Sequence, residues 1–421
     1  MKKVLVVGGG GRCHAIVDAL SRSPLVDTIW CAPGNAGIAH QATCLPIRDT
    51  DVDALLDFAL TNRPDLTVVG PEATLAAGLT DRFRAAGLAV FGHTKAAARI
   101  ETSKGFAKEV MQKAGVPTAA YRSFTDYDEA LAYIRIRPFP AVLKYDGLAA
   151  GKGVIIAQDL AEAEEALRNM LLENVFGEAH IIIEDYLSGP EFSFMCFVNG
   201  TSVWPMPLAQ DHKRAYDGDK GPNTGGMGAY TALPFITPED ERFALERILK
   251  PVAEEMDRAG TPLTGVLYGG LMKTRDGIKV IEFNSRFGDP ETEVVLPLLE
   301  SDAYDIMEAV ATGREPEPIR WSSDATLGVV LASKGYPGHY KKGAPIFCTS
   351  SLEGVKVFQM GTRMEGGTLV TNGGRVLMVV GRGTSLPAIR ERVYAEIDKI
   401  VCDNLFYRND IAYMAMDKPL K

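Results

Sequence analysis

The sequence predicts a multidomain chain of α/β and α+β type, and three observations carry that prediction. The first hundred residues alternate short apolar runs with helical stretches, as a parallel sheet covered on both faces requires. Beyond about residue 100 the apolar runs pair up around Gly-rich connections, the mark of hairpins. The chain has 421 residues, and at roughly 150 residues per domain that points to about three domains.

The elements follow in order. Val4-Leu5-Val6-Val7 is a buried strand ending in Gly8-Gly9-Gly10-Gly11, with a helix expected over 14–21. Thr28-Ile29-Trp30-Cys31 is a second strand, closed by Pro33-Gly34-Asn35, and an amphipathic helix follows over 51–60. Leu66-Thr67-Val68-Val69 is a third strand, ending in Gly70-Pro71-Glu72, and Leu88-Ala89-Val90-Phe91 is a fourth. Ligands of such sheets bind at the carboxyl ends of the strands, and three of these ends carry glycine. Next, strands at 141–144 and 154–157 flank a Gly-rich loop, and a helix is expected over 160–172. Strands at 181–184, 192–198 and 202–207 then build an α+β module on hairpins. Residues 211–229 are polar and Gly-rich, 238–259 is helical, and strands at 266–273 and 279–283 turn around Asp276-Gly277. A helix over 291–299, β runs at 327–331 and 376–380 and a helix over 386–401 complete the chain.

Composition narrows the function. With 46% hydrophobic and 24% charged residues the chain is not disordered as a whole. Its 45 Lys and Arg against 54 Asp and Glu give a net charge of −9. No Lys/Arg-rich run appears, which argues against nucleic acid as a partner. No apolar stretch approaches the ~20 residues that span a bilayer. The N-terminus lacks a signal-peptide pattern, so a cytoplasmic protein is expected. The six cysteines form no C-x-x-C and read as buried free thiols. The 42 glycines are clustered, as phosphate-binding loops and mobile lids require.

The first glycine loop fits a dinucleotide fingerprint only in part. Gly8 and Gly10 match, but Cys13 stands at the third position, and the second strand ends in Cys31-Ala32-Pro33 without the acid that would take a ribose. A phosphate site at a helix N-terminus and a tight strand-to-helix turn are the readings left. The loop from Gly147 to Gly153 is no Walker A motif, because Gly153 replaces the Ser or Thr and the loop joins two strands. Either it is a flap laying Lys152 and backbone N–H groups over a triphosphate, or it is a hairpin tip with a solvated lysine.

The segment 281–291 is the most specific. Alternation along a strand puts Glu282, Asn284 and Arg286 on one face. Two hard oxygen donors suit Mg²⁺, which completes its shell with phosphate and water, and an arginine beside them can stabilise a transferring phosphoryl group. An edge strand with a solvated polar face is the alternative. Glu184, the strand end after it and Glu191 could take the amino group, ring and ribose of a nucleoside.

Together these pieces resemble the ATP-grasp superfamily and, within it, the glycinamide ribonucleotide synthetase family. The resemblance rests on 8–15, 32–37, 69–72, 144–154 (Lys-Tyr-Asp-Gly-Leu-Ala-Ala-Gly-Lys-Gly-Val), 210–214, 221–230 (Gly-Pro-Asn-Thr-Gly-Gly-Met-Gly-Ala-Tyr), 282–291 and 371–376, in the family's order and from end to end. Cys13 departs from the family's GGREHA, where a glutamate stands. The strand 266–273 supplies none of the extra metal carboxylate that some superfamily members carry.

The resemblance implies an N-terminal pre-ATP-grasp domain over 1–103 that holds substrate. It implies an ATP-grasp domain over 104–310, with a hairpin lid at about 120–190, and a small β-rich C-terminal domain over 311–421. The implied reaction joins glycine to 5-phosphoribosylamine at the expense of ATP, through glycyl phosphate, in purine biosynthesis. Lys104, Lys144, Gly147, Gly151, Lys152, Gly153, Glu184, Leu187 and Glu191 would hold ATP, and Glu282 and Asn284 would hold Mg²⁺ or Mn²⁺. Arg286, Lys144, Asp211 and Lys213 would be catalytic. Gly10, Gly11, Arg12, Asn35, Gly70, Pro71, Glu72, Asn223, Thr224 and Gly225 would hold the substrates. The implied working unit is a monomer or weak homo-oligomer. Three competitors stay open: a carboxyphosphate-forming ligase, an NAD-dependent oxidoreductase resting on the first loop, and a nucleotide sensor without turnover.

Overall fold

The computed structural model describes residues 1–147, 153–173 and 180–416. Its N-terminal sheet has five parallel strands in the spatial order Thr43–Cys44, Val26–Pro33, Lys2–Gly8, Leu66–Val69 and Val90–Phe91. Residues 4–7 of the central strand are apolar and buried because both of its faces are covered. Leu5 and Val7 pack with Leu55, Ala59 and Phe83 on one side. Val4 and Val6 pack with Ile16 and Leu20 of the helix Gly11–Ser21 on the other. That second core continues through Phe197, Val266 and Phe287 into the main body, so the N-terminal sheet is seated on it.

The main body is a ten-stranded sheet. Its path runs Gly277–Asn284, Thr264–Thr274, Glu191–Asn199, Ala209–Asp211, Gly228–Thr231, Ala325–Ser333, Arg375–Gly383 and Val355–Gln359, and off this path Ser202–Pro205 pairs with Glu191–Asn199 and Leu405–Phe406 with Ala325–Ser333. A separate four-stranded sheet orders Tyr121–Phe124, Ile181–Asp185, Ala141–Tyr145 and Val154–Ala157. The helices Tyr127–Ile134 and Leu160–Leu167 cover it, burying Ala130, Ile134, Ala163 and Leu167 against Leu143, Ile181 and Ile183.

The structure departs from the sequence expectations at several points. The strands expected at 181–184 and 192–198 do not form one hairpin; they belong to different sheets. Gly189 makes the transfer between them. It has φ +151, and a Cβ there would lie 2.1 Å from the Lys273 carbonyl oxygen. The polar, Gly-rich residues 211–229, given no element from sequence, contain short strands, including the pair Arg214–Tyr216 and Lys220–Asn223. The helix expected over 291–299 shortens to Thr292–Val295 and one 3₁₀ turn, Leu296–Leu298, that contains Pro297. Ala325–Ser333 pairs with Gly228–Thr231, so the main sheet crosses the boundary expected at residue 310. The thiols are not uniformly buried: Cys13, Cys31 and Cys196 are, Cys44 and Cys402 are half-buried, and Cys348 is exposed. Among the described residues no helix is long and apolar enough to cross a membrane.

Candidate active site

A cleft opens where the N-terminal sheet, the four-stranded sheet and the edge of the main sheet meet. The edge strand Gly277–Asn284 delivers Ile281, Glu282, Phe283 and Asn284 to it. Glu282 faces Gly270 on the neighbouring strand, where the missing side chain leaves the carboxylate room. Burial opposes ionisation of Glu282, but Lys213, Lys144, Lys104 and Arg286 together hold its carboxyl below the usual range. Three lysines and an arginine thus surround one carboxylate, an arrangement suited to ligand phosphates.

The lysines come from three different elements. Ser103 caps the helix Lys104–Lys113 by accepting from the Phe106 N–H, and this places Lys104 in the first turn. The Lys104 ammonium donates to the Gly147 carbonyl at 3.0 Å, at the base of the Gly-rich loop. Lys144, at the end of the strand Ala141–Tyr145, donates to the Ile281 carbonyl at 3.1 Å and lies 3.0 Å from Glu184. Lys213 sits 3.0 Å from Glu191. Beside it, burial pushes the Asp211 carboxyl up to about 7, with Glu291, Glu191 and Glu282 adding to the rise and Lys213 opposing it.

Arg286 is held by two carboxylates. Its Nε lies 3.2 Å from Glu72 and its Nη2 lies 2.8 Å from Glu101. Glu101 also accepts from the Ser285 N–H and hydroxyl, each at 2.8 Å. Glu72 reaches Arg12 at 3.4 Å, while Arg12 donates to the Gly70 carbonyl at 2.8 Å. Burial opposes the charge on Glu72, but Arg286 and Arg12 bring its carboxyl down to about 2. Arg286 and the N-terminal loop are therefore linked by one shared carboxylate.

The structure brings many of the expected residues to this cleft: Arg12, Glu72, Lys104, Lys144, Gly147, Gly153, Glu184, Asp211, Lys213, Thr224, Gly225, Glu282, Asn284 and Arg286 all line it. Others do not line it. Asn35 is consumed locally: its amide donates to the Gly9 and Gln359 carbonyls and its oxygen accepts from the Gly37 and Ile38 N–H groups. Gly11 is backed by Glu293 and Met360, and a Cβ on Gly70 would meet the Cys13 sulfur at 2.4 Å. A Cβ on Gly10 would lie 3.5 Å from the Asp289 carboxylate, and Pro71 packs against Gly8. Asn223 pairs with Arg214 across the short hairpin. Leu187 borders a second depression with Thr118 and Lys279. Glu191 reaches the cleft only through Lys213. Gly151 and Lys152 lie outside the described residues. The Cys13 thiol is buried beneath the loop, directed at the Val7 carbonyl, and burial pushes it up to about 12.

Several lining residues were missed from sequence. Glu101 carries no motif. Lys108 stands one helical turn after Lys104, a spacing that does put both on one face. Tyr268 donates to Glu291 at 2.7 Å. Arg375, from the C-terminal part, donates to the Gly225 and Asp289 carbonyls at 2.6 and 2.8 Å and pairs with the Asp289 carboxylate at 2.9 Å. Asp289, Glu291 and Arg375 sit in the distinctive runs, but their partners lie far away in the chain.

The donor chemistry fits a hard divalent cation held with help from a ligand. Among the described residues no group of three or more His, Cys, Asp or Glu could hold a metal by itself. Glu282 and Asn284 offer two oxygens, which suits a cation that takes its remaining ligands from phosphate and water.

Comparison with known proteins agrees with this geometry. The phosphoribosylglycinamide synthetase N domain matches residues 2–101, the ATP-grasp (A) domain of the same family matches 102–292 and its C domain matches 326–414. The phosphoribosylamine–glycine ligase of Halalkalibacterium halodurans is 50% identical over 416 residues, covering 98% of this chain and 97% of that protein. That of Listeria innocua is 48% identical, covering 98% and 99%. The crystal structure of the enzyme from Thermotoga maritima superposes with a TM-score of 0.86 at 33% identity, covering 97% of this chain and 100% of that one. With all three domains matched in order around a cleft of this chemistry, the chain belongs to the phosphoribosylglycinamide synthetase family.

Proposed function

We propose that the protein joins glycine to 5-phosphoribosylamine with ATP, giving glycinamide ribonucleotide, ADP and phosphate. The observation that carries the reading is the gathering of Lys104, Lys144, Lys213 and Arg286 around Glu282 and Asn284, beside the Arg12–Glu72 pair. A carboxylate is a poor electrophile until phosphate becomes its leaving group. Phosphoryl transfer asks mainly for positioning and charge neutralisation, and the cleft supplies both without a Ser or Cys nucleophile.

In this reading Lys104 and Lys144 hold the ATP phosphates, with Gly147 and Gly153 beside them, and Glu184 faces the base. Asp211 and Lys213 border the glycine, and Arg286 steadies the phosphoryl group as it moves to the glycine carboxylate oxygen. The amine of phosphoribosylamine, held near Arg12, Glu72, Thr224 and Gly225, then attacks the acyl carbon of glycyl phosphate and expels phosphate. Glu282 and Asn284 would hold Mg²⁺ or Mn²⁺, which supplies charge neutralisation at the phosphates. Residues 1–103 would serve the phosphoribosylamine, 104–310 the nucleotide and 311–421 would close the cleft, in a cytoplasmic monomer or weak homo-oligomer.

The test measures ADP release with glycine, with bicarbonate or with neither, in the presence of a phosphoribosylamine source. Glycine alone should support release, and bicarbonate dependence would move the protein to carboxyphosphate chemistry. With glycine labelled by oxygen-18 in its carboxylate, label should appear in the phosphate released. Phosphate free of label would exclude carboxylate activation.

A further inference from the structure

Lys108 is a cation in the cleft to which the proposed reaction gives no role. It lies one turn after Lys104 on the helix Lys104–Lys113 and is almost wholly buried. A buried ammonium is costly unless it is paired, and Lys108 has two partners. Its Nζ donates to the Thr118 hydroxyl at 2.8 Å, and Thr118 in turn donates to the Val280 carbonyl at 2.8 Å. The same Nζ lies 3.1 Å from Glu184 Oε1.

Glu184 therefore sits between two ammonium groups, Lys108 on Oε1 and Lys144 at 3.0 Å on Oε2. The two cations are not equivalent. Lys144 also reaches the Ile281 carbonyl and, in the proposed reaction, is drawn to ligand phosphate. Lys108 has no such second duty, being anchored by Thr118 to the edge strand. Lys108 holds Glu184 Oε1 at ion-pair distance, 3.1 Å, without a well-aligned hydrogen bond to it, so the carboxylate keeps acceptor capacity. A carboxylate is an acceptor only, so it favours a 6-amino purine, which donates, over a 6-oxo purine, which presents a second acceptor.

We propose that Lys108 is a positioning residue for base recognition: it holds the Glu184 carboxylate in place for the amino group of an adenine ring and so sets the preference for ATP over GTP. The inference rests on the nucleotide reading of the cleft. Without Lys108, Glu184 would compete with the nucleotide phosphates for Lys144, and both contacts would loosen.

The experiment compares kcat/KM for ATP and for GTP in the glycine-dependent reaction of the full chain. Lys108→Met, close to isosteric, should lower kcat/KM for ATP by about tenfold or more and narrow the ATP-to-GTP ratio by a similar factor, the size expected for one charged hydrogen bond. The KM for glycine should move less than about twofold, since no glycine contact passes through Lys108. Thr118→Val keeps the lysine but removes its anchor, and should shift the ratio in the same direction by less; it carries the test if Lys108→Met does not fold. Parallel losses for ATP and GTP, or a lowered Tm with an unchanged ratio, would make Lys108 a purely structural ion-pair partner and overturn the inference. Glu184→Gln separates the two levels. If it loses ATP preference while both other variants keep theirs, only the role of Lys108 fails. If instead Glu184→Gln, like the other two variants, leaves the KM for ATP and the ratio untouched, the nucleotide reading of Glu184 fails as well.

Discussion

Glu282 is the residue on which the candidate chemistry converges, since four cations hold it ionised despite its burial. Glu282→Ala should lower ligase activity by about a hundredfold or more, the scale of removing one preorganised electrostatic partner. Circular dichroism and Tm should stay close to those of the parent chain, because the residue faces a cleft and not a core. Near-normal turnover at limiting Mg²⁺ would show that the metal lies elsewhere. His93 is a different kind of residue, buried and outside the lining of the cleft. Its Nε2 donates to the Val266 carbonyl at 2.8 Å and its Nδ1 accepts from the Thr264 N–H at 3.0 Å, so the ring is neutral and spans two parts of the chain. Burial lowers its pKa to about 4. The unfolded chain, with a histidine near its ordinary value, binds the proton first, so stability falls as pH drops from about 6.5 toward 4, by up to about 3 kcal/mol. Urea titrations at pH 5 and pH 7 check this. His93→Gln should flatten part of the difference, and an unchanged slope would show that the ring does not titrate across that range.

At the scale of elements, the connection at Gly189 decides which sheet each of two consecutive strands joins. Its φ of +151 and the Lys273 carbonyl against its Cα leave no place for a side chain. Gly189→Ala should cost about 1–3 kcal/mol, read as a lowered Tm, with a larger loss of ATP affinity than a comparable change at Gly313, which a Cβ would leave in open space. Equal effects at both positions would mean that the connection is not a constraint on the four-stranded sheet. This part of the fold was half legible. Apolar runs announced both strands, but nothing local in Ser188-Gly189-Pro190 says that pairing partners change there. The strand Thr43–Cys44 was invisible for a related reason, as two residues carry no period. The strands Leu66–Val69 and Val90–Phe91 and residues 4–7 of Lys2–Gly8 read plainly because each is buried on both faces, which forces a continuous run of buried residues.

At the scale of the whole molecule, one chain of ion pairs joins the parts: Arg12 to Glu72, Glu72 to Arg286 and Arg286 to Glu101. Glu72→Gln should lower kcat/KM for phosphoribosylamine about tenfold or more, since a part-buried charge is removed from two arginines at once. The Kd for ATP, measured by calorimetry, should change less than about twofold. A matching loss of ATP affinity would place the nucleotide, not the amine, beside the first loop. The sequence by itself determined the element types, the glycine-marked strand ends and the cluster Glu282, Asn284 and Arg286, because periodicity and short-range spacing record which face is buried and which residues share a strand. Only the tertiary structure decided that Glu101, Lys108, Asp289 and Arg375 complete the cleft, that Asn35 braces its own loop, and that the C-terminal strands extend the main sheet. Those contacts join residues as far apart as Gly225 and Arg375, and a pairing over that separation leaves no local pattern in the chain.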